Sequence, residues 1–332
     1  MKPKFFKTLL VLLVVLCLSF AGCKSGMPTC SRTGYYFNTV VTLTLYNGGG
    51  EAALDSAFAL CAEYEVLFSR TDPDSALYAL NRASGASVAL DSELEAVLRT
   101  ARAWAEKTGG RFDPTVAPLS DLWDFGSGGR LPSEKEIASA LARVGYEKLV
   151  LAEDGVSLRD GAAVDLGGIA KGYIGDRLRE NLMENGVSAG LIDLGGNILC
   201  IGGRPGRDAF TVGVKNPQNT AALAAVVEVR DMAVSTSGGY ERCFTESGKT
   251  YHHILDPTTG YPAESDLASA TVICPDGETA DVLSTVCFLY GREGALALIE
   301  SLPDAEALLV TTSGEVVCTS GLGPGGIPVT VK

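Results

Sequence analysis

The sequence predicts an α+β fold: mixed, mainly antiparallel sheets with helices packed around them in a single two-lobed body. Three observations carry this. Helix-period segments crowd the first half and short β-branched runs the second, without the strict alternation of a doubly wound sheet. No Pro/Ser-rich or charged linker interrupts residues 35–332. No repeat of solenoid period is visible. Residues 40–46 read as a strand, broken by Asn47-Gly48-Gly49-Gly50. A helix follows over 52–68, with Leu54, Phe58 and Cys61 on one face. Leu94, Val97, Leu98, Ala101 and Trp104 repeat at helical spacing, and Gly109-Gly110 ends that helix. Ser133-x-x-Glu136 is a capping box for a helix through Val144. Ile174, Leu178 and Leu182 mark another, closed by Gly186. Strands are expected at 191–194, 198–201, 210–214, 225–229, 270–273, 307–311 and 316–318, with a last helix from about Thr279 to Tyr290.

The start of the chain reads as a targeting device. Lys2, Lys4 and Lys7 precede an apolar run from Leu9 to Leu18 that is too short to span a bilayer, followed by Ala21-Gly22. Residues 1–22 are therefore expected to be a signal peptide. Leu18 to Cys23 resembles a bacterial lipobox, which implies lipidation of Cys23 and anchoring to the inner membrane, facing the periplasm. Ordinary secretion with cleavage nearby is the alternative. Residues 24–34 are polar and small, suiting a tether, so 23–34 is expected as a lipidated tether and 35–332 as the body.

Loss of Lys2, Lys4 and Lys7 leaves 24 basic residues against 40 acidic, a mature net charge of −16. Such a surface repels phosphate backbones, so nucleic acid is not an expected partner. Any phosphate-bearing substrate needs local neutralisation by a metal or a lysine. Cysteines 30, 61, 200, 243, 274, 287 and 318 are odd in number, lack a CxxC spacing and lie partly in apolar runs. They read as small buried hydrophobes, not as a disulfide framework.

Both histidines of the chain are adjacent, His252-His253, before Asp256-Pro257-Thr258-Thr259-Gly260. Unperturbed imidazole chemistry near neutral pH is confined to this pair. On side-chain chemistry alone the two also fit a strand-end cap with an exposed neighbour. Val164 to Tyr173 reads as a strand end, a glycine turn and a helix start, with Lys171 in the first helical turn. A helix N-terminus favours anions, although a plain strand-to-helix connection fits equally. The segment has neither Walker nor Rossmann spacing. Asp281, Ser284 and Thr285 stand at i, i+3 and i+4, three oxygen donors on one helix face. That set is sparse for calcium and suits a hydrated magnesium ion that borrows substrate oxygens. Helix capping by Thr279 and Asp281 is the competing reading. Phe112 to Leu119 is a rigid two-proline connection before Trp123 and Phe125.

In this order the segments FDPTVAPL (112–119), VDLGGIAKGY (164–173), DLGGN (193–197), STSGGYER (235–242), HILDPTTGYP (253–262) and TADVLST (279–285) resemble the ApbE family of FAD:protein FMN transferases. The likeness spans nearly all of 35–320. It implies an ApbE-like fold and Mg²⁺-dependent transfer of FMN from FAD to a threonine of an exported acceptor carrying an Asp/Ser-Gly-x-Thr-type segment, with AMP released. By the same resemblance His253 is the catalytic base, expected near its unperturbed pKa of about 6.5, and His252 is a bystander. Asn38, Thr71, Asp113, Pro114, Thr115, Asp165, Lys171, Ser237 and Leu255 would bind FAD. The Gly168 carbonyl, Asp281, Thr285 and Ser284 would hold the metal. The chain departs from the usual pattern at Phe37-Asn38-Thr39, where many members have Met-Gly-Thr, and at Thr71, where members often have Tyr. An FAD pyrophosphatase giving FMN and AMP, and a flavin-binding lipoprotein without turnover, are the rival functions.

Overall fold

The computed structural model describes residues 28–332. The signal peptide and Cys23 lie outside the described residues. Strands β1 (Cys30–Tyr36) and β2 (Thr39–Asn47) form a hairpin, so residues 30–34, expected in the tether, belong to the body. Alternation of Ser31, Thr33 and Tyr35 with half-buried positions makes β1 an edge strand, a pattern too polar to stand out as β in the sequence. Helices α1 (Gly50–Phe68), α2 (Ala76–Arg82), α3 (Ser92–Lys107), α4 (Ala117–Trp123) and α5 (Glu134–Leu141) follow. The Ser133/Glu136 capping box is formed, but α5 stops at Leu141, short of the expected Val144.

After the β3 (Leu149–Ala152)–β4 (Gly155–Leu158) hairpin come α6 (Ala170–Glu184), β5 (Ala189–Leu194), β6 (Asn197–Ile201), β7 (Phe210–Asn216) and β8 (Asn219–Val229). Then β9 (Ala233–Gly238), the β10 (Cys243–Glu246)–β11 (Lys249–His252) hairpin, β12 (Leu267–Cys274) and α7 (Gly277–Glu300) complete the site region. Strands β13 (Glu306–Thr311), β14 (Val316–Cys318) and β15 (Val329–Val331) end the chain. The backbone leaves helical geometry at Gly291, φ 71° and ψ −179°, so the first helical stretch of α7 ends at the expected Tyr290 and a second continues to Glu300 across the kink.

Eight strands form the main sheet in the order β1-β2-β5-β6-β9-β12-β13-β14, every pair antiparallel. Period-2 alternation divides its side chains between two cores. Leu43, Ile192, Leu199, Val272 and Leu309 point toward the helices, with Leu54, Leu178 and Leu283. Cys200, Val234, Ile273, Leu308 and Val310 point the other way, onto the small sheet β15-β8-β7. A third cluster joins Leu119, Trp123, Ile137 and Leu255, with Phe125, Phe244, Tyr251 and Tyr261 packed against it. The seven described cysteines are all free, and Cys61, Cys200, Cys274 and Cys287 are buried as small hydrophobes. Burial raises the thiols of all four to about 12.

Candidate active site

Two helix starts meet beneath the site. Gly172 in the first turn of α6 and Gly277 in that of α7 touch through backbone: a Cβ on Gly172 would lie 2.1 Å from the Gly277 carbonyl. Only glycine permits that approach. The contact lets Asp281, only 3% exposed, accept the Gly172 N–H at 3.0 Å through Oδ2. Asp281 therefore does not cap its own helix. The α7 cap is Asp276, which accepts the Thr279 N–H, while Asp176 of α6 accepts the N–H groups of Gly277 and Glu278.

The oxygen donors expected on one face converge. The Ser284 hydroxyl donates to the Asp281 carbonyl at 2.9 Å. It lies 2.8 Å from Ser237 Oγ, which lies 3.1 Å from Thr285 Oγ1. Ser235 and Ser237 share a face of β9 by strand period, which turns both hydroxyls toward α7. Lys171 Nζ stands 4.0 Å from Asp281 Oδ1. Gly168 closes the set, since a Cβ there would fall 3.6 Å from Thr285 Oγ1. One buried carboxylate with neighbouring hydroxyls suits a hard cation that keeps waters. Among the described residues no cluster of three or more His, Cys, Asp or Glu offers a different metal site.

Asp165 receives the Gly167 N–H at 2.9 Å, and its backbone N–H donates to the Pro114 carbonyl at 2.8 Å. Its second oxygen faces Arg70 Nε at 3.2 Å, and Arg70 also pairs with Asp121. Arg70 was not expected from the sequence; its only signal is its place between Ser69 and Thr71. Asp113 and Thr115 are turned inward. Asp113 Oδ1 accepts the Thr115 N–H and hydroxyl, Oδ2 accepts the Tyr146 N–H, and Thr115 Oγ1 accepts the Gly145 N–H. Burial raises the Asp113 carboxyl above its ordinary range. These side chains fix the two-proline connection, and Pro114 is buried beside them. Thr71 is exposed, within 3.5 Å of Ser69 Oγ. Asn38 is exposed in the two-residue β1–β2 turn, where Phe37 and Asn38 both have φ 55°. That is the left-handed pair a tight hairpin requires. The Leu255 side chain is 6% exposed and packs in the Trp123 cluster, so it faces the core, as the buried Asp113, Pro114 and Thr115 do.

Both histidines are half-buried at the end of β11. His252 Nε2 lies 3.2 Å from the Ala263 carbonyl and its ring stands edge-on to Phe288 at 5.3 Å. These are packing roles. The His253 N–H donates to the Arg242 carbonyl at 3.0 Å, and its Nδ1 is buried without a partner. Burial, reinforced by the positive charge of Arg242, lowers the His253 pKa to about 3. This corrects the expected value near 6.5: the ring is neutral throughout the physiological range.

The turn after His253 is held from both ends. Asp256 Oδ1 accepts the Thr258 N–H and hydroxyl, and Asp256 Oδ2 faces Arg111 Nη1 at 3.2 Å. The fully buried Trp123 donates Nε1–H to the Gly260 carbonyl at 2.9 Å. Trp123→Ala is expected to cost about 3–5 kcal/mol by leaving a cavity and an unpaired carbonyl. Urea unfolding of the variant measures this.

A model of the ApbE family matches residues 37–309 of the chain. The FAD:protein FMN transferase of Treponema pallidum is 34% identical to it, over 94% of this chain and 93% of that protein. The enzyme of the same name from Klebsiella pneumoniae is 33% identical, over 87% and 92%. Among solved structures, the ApbE protein of Thermotoga maritima has a TM-score of 0.82 at 31% identity, covering 88% of this chain and 97% of that one. The flavin transferase ApbE from Vibrio cholerae has a TM-score of 0.78 at 26% identity, covering 88% and 97%. With the match extending over far more than half its length, the chain belongs to the ApbE family.

Proposed function

We propose that the protein transfers FMN from FAD to a threonine hydroxyl of an exported acceptor, releasing AMP, with magnesium bound at Asp281. The observation that carries this reading is the meeting of Asp281, Ser284, Thr285, Gly168 and Lys171 over two helix N-termini. Flavin transfer is the activity in the names of the relatives. A pyrophosphate is favoured there by the positive ends of the helix dipoles, the first-turn N–H groups themselves being engaged by Asp281, Asp176 and Asp276. Lys171 adds a compact positive charge in a protein that is otherwise acidic.

Asp281, Thr285, Ser284 and the Gly168 carbonyl would hold a magnesium ion, which would supply charge neutralisation to the phosphate oxygens. Asp165, the turn and loop residues Asn38 and Thr71, and Ser237 of β9 would border the flavin nucleotide, with Asp113, Pro114 and Thr115 holding the adjoining connection in shape. The acceptor oxygen bonds to the FMN-side phosphorus as the phosphorus–oxygen bond to AMP breaks, and AMP leaves with that oxygen. His253 takes the hydroxyl proton. Being neutral, it is already in the base form at neutral pH. The acceptor is expected to present a Ser/Asp-Gly-x-Thr-type segment. Export and lipid anchoring at Cys23 on the periplasmic face of the inner membrane rest on the basic start, apolar run and cysteine of residues 1–23.

Incubation of the protein with FAD, Mg²⁺ and a peptide carrying such a segment, followed by mass spectrometry, tests the reading. A peptide heavier by FMN, together with AMP, is the expected result. Free FMN and AMP with unmodified peptide would make it a pyrophosphatase, and intact FAD a binder.

A further inference from the structure

The segment DLGGN (193–197) has no role in the chemistry above. Gly195 and Gly196, both at positive φ, form a two-residue turn between β5 and β6, and Asp193 Oδ1 accepts the Gly196 N–H. A Cβ on Gly195 would fall 1.9 Å from Thr39 Oγ1, so the turn cannot carry a larger residue. The turn delivers Asn197 to the first position of β6, one step beyond the Ile198–Val234 pair and therefore opposite Ser235. Asn197 is 4% exposed, and its Nδ2 has no hydrogen-bond partner.

Ser235 has one hydroxyl proton and three side-chain oxygens within reach: the Asn197 amide Oδ1 at 3.0 Å, the Asp281 carboxylate Oδ1 at 3.4 Å and Ser284 Oγ at 3.5 Å. The shortest contact goes to the asparagine. A proton held there is not on Asp281 Oδ1, whose lone pairs stay open to a cation. We propose that Asn197 is a positioning residue for the metal site: by accepting the Ser235 proton, it keeps that proton from competing with the cation at Asp281. This rests on the magnesium reading given above. Residues behind the ligands of a metal commonly change its affinity by about 10- to 100-fold.

Removing the asparagine frees the Ser235 proton to turn onto Asp281, so Asn197→Leu is expected to weaken divalent-metal binding by about tenfold. Removing the serine as well removes the competing proton. Asn197→Leu/Ser235→Ala is therefore expected to regain the wild-type affinity, whereas a purely structural role would make the double variant worse than either single one. The measurement is titration of the FAD-free protein with Mn²⁺, free Mn²⁺ being counted by electron paramagnetic resonance and folding checked by circular dichroism. Asn197→Ala replaces Asn197→Leu should the leucine variant fail to fold. Unchanged affinity in the asparagine variant overturns the proposal, because the Ser235 proton would then already lie on Asp281. Additive losses in the double variant overturn it as well. Equal Mn²⁺ binding by the wild type and Asp281→Asn would instead remove the metal from Asp281, and the proposal with it.

Discussion

Asp281→Ala is expected to lower FMN transfer about a thousandfold, equivalent to about 4 kcal/mol of transition-state stabilisation from the metal. The response of the rate to added magnesium should flatten in the same variant. Alanine also strips the Gly172 N–H of its acceptor at 3.0 Å, so the loss could arise from a shifted helix start. Asp281→Asn separates the two causes. An asparagine can still accept the Gly172 N–H through its amide oxygen, but it lacks the charge that holds a cation. A defect of equal size in both variants assigns the effect to the metal. A magnesium titration unchanged in Asp281→Asn would remove this residue from the metal site.

His253→Ala is expected to lower kcat by about 10²- to 10⁴-fold, the usual contribution of a general base, while FAD still binds. Equilibrium titration with FAD and single-turnover release of AMP measure the two quantities separately. The pH profile is the sharper check. In the free protein the folded pKa of His253 lies below the ordinary imidazole value, at about 3, because burial and Arg242 disfavour the cation. The limb of kcat/KM due to this residue should therefore be absent between about pH 5 and 8. The same depression carries a stability effect of definite sign. Between the unfolded value near 6.5 and the folded value of about 3, the unfolded chain binds the extra proton. Through this group stability falls as the pH is lowered across that window. A kcat/KM profile with an inflection near 6.5 that disappears in His253→Ala would show that the ring is more exposed in solution than the fold makes it. Full activity in His253→Ala would remove it from the chemistry.

Much of this was legible in the sequence because it is local. The spacing of Asp281, Ser284 and Thr285 already placed three oxygens on one face, and the Ser133/Glu136 box already specified a helix start. What could not be read is where a side chain turns once distant segments meet. Asp281 looks like a cap for its own helix, but the Gly172–Gly277 contact makes it an acceptor for another. Asp113 and Thr115 read as ligand contacts, yet they close on the backbone of Gly145 and Tyr146, about thirty residues away in sequence. Arg70 carries no local pattern, and its pairing with Asp165 arises only from folding. The basicity of His253 is likewise a property of burial, which no spacing reveals.

The backbone-to-backbone crossing of Gly172 and Gly277 also bears on how such a protein can diversify. At this crossing beneath Asp281 main chain meets main chain, with Leu199 and Asp176 packed alongside. Any Cβ added there meets a carbonyl, so point mutation has no gradual path at that spot. Variation is instead open at the rim, where Asn38 and Thr71 are exposed. Changes in nucleotide or acceptor preference among descendants of this chain should accumulate in those loops, leaving the crossing untouched.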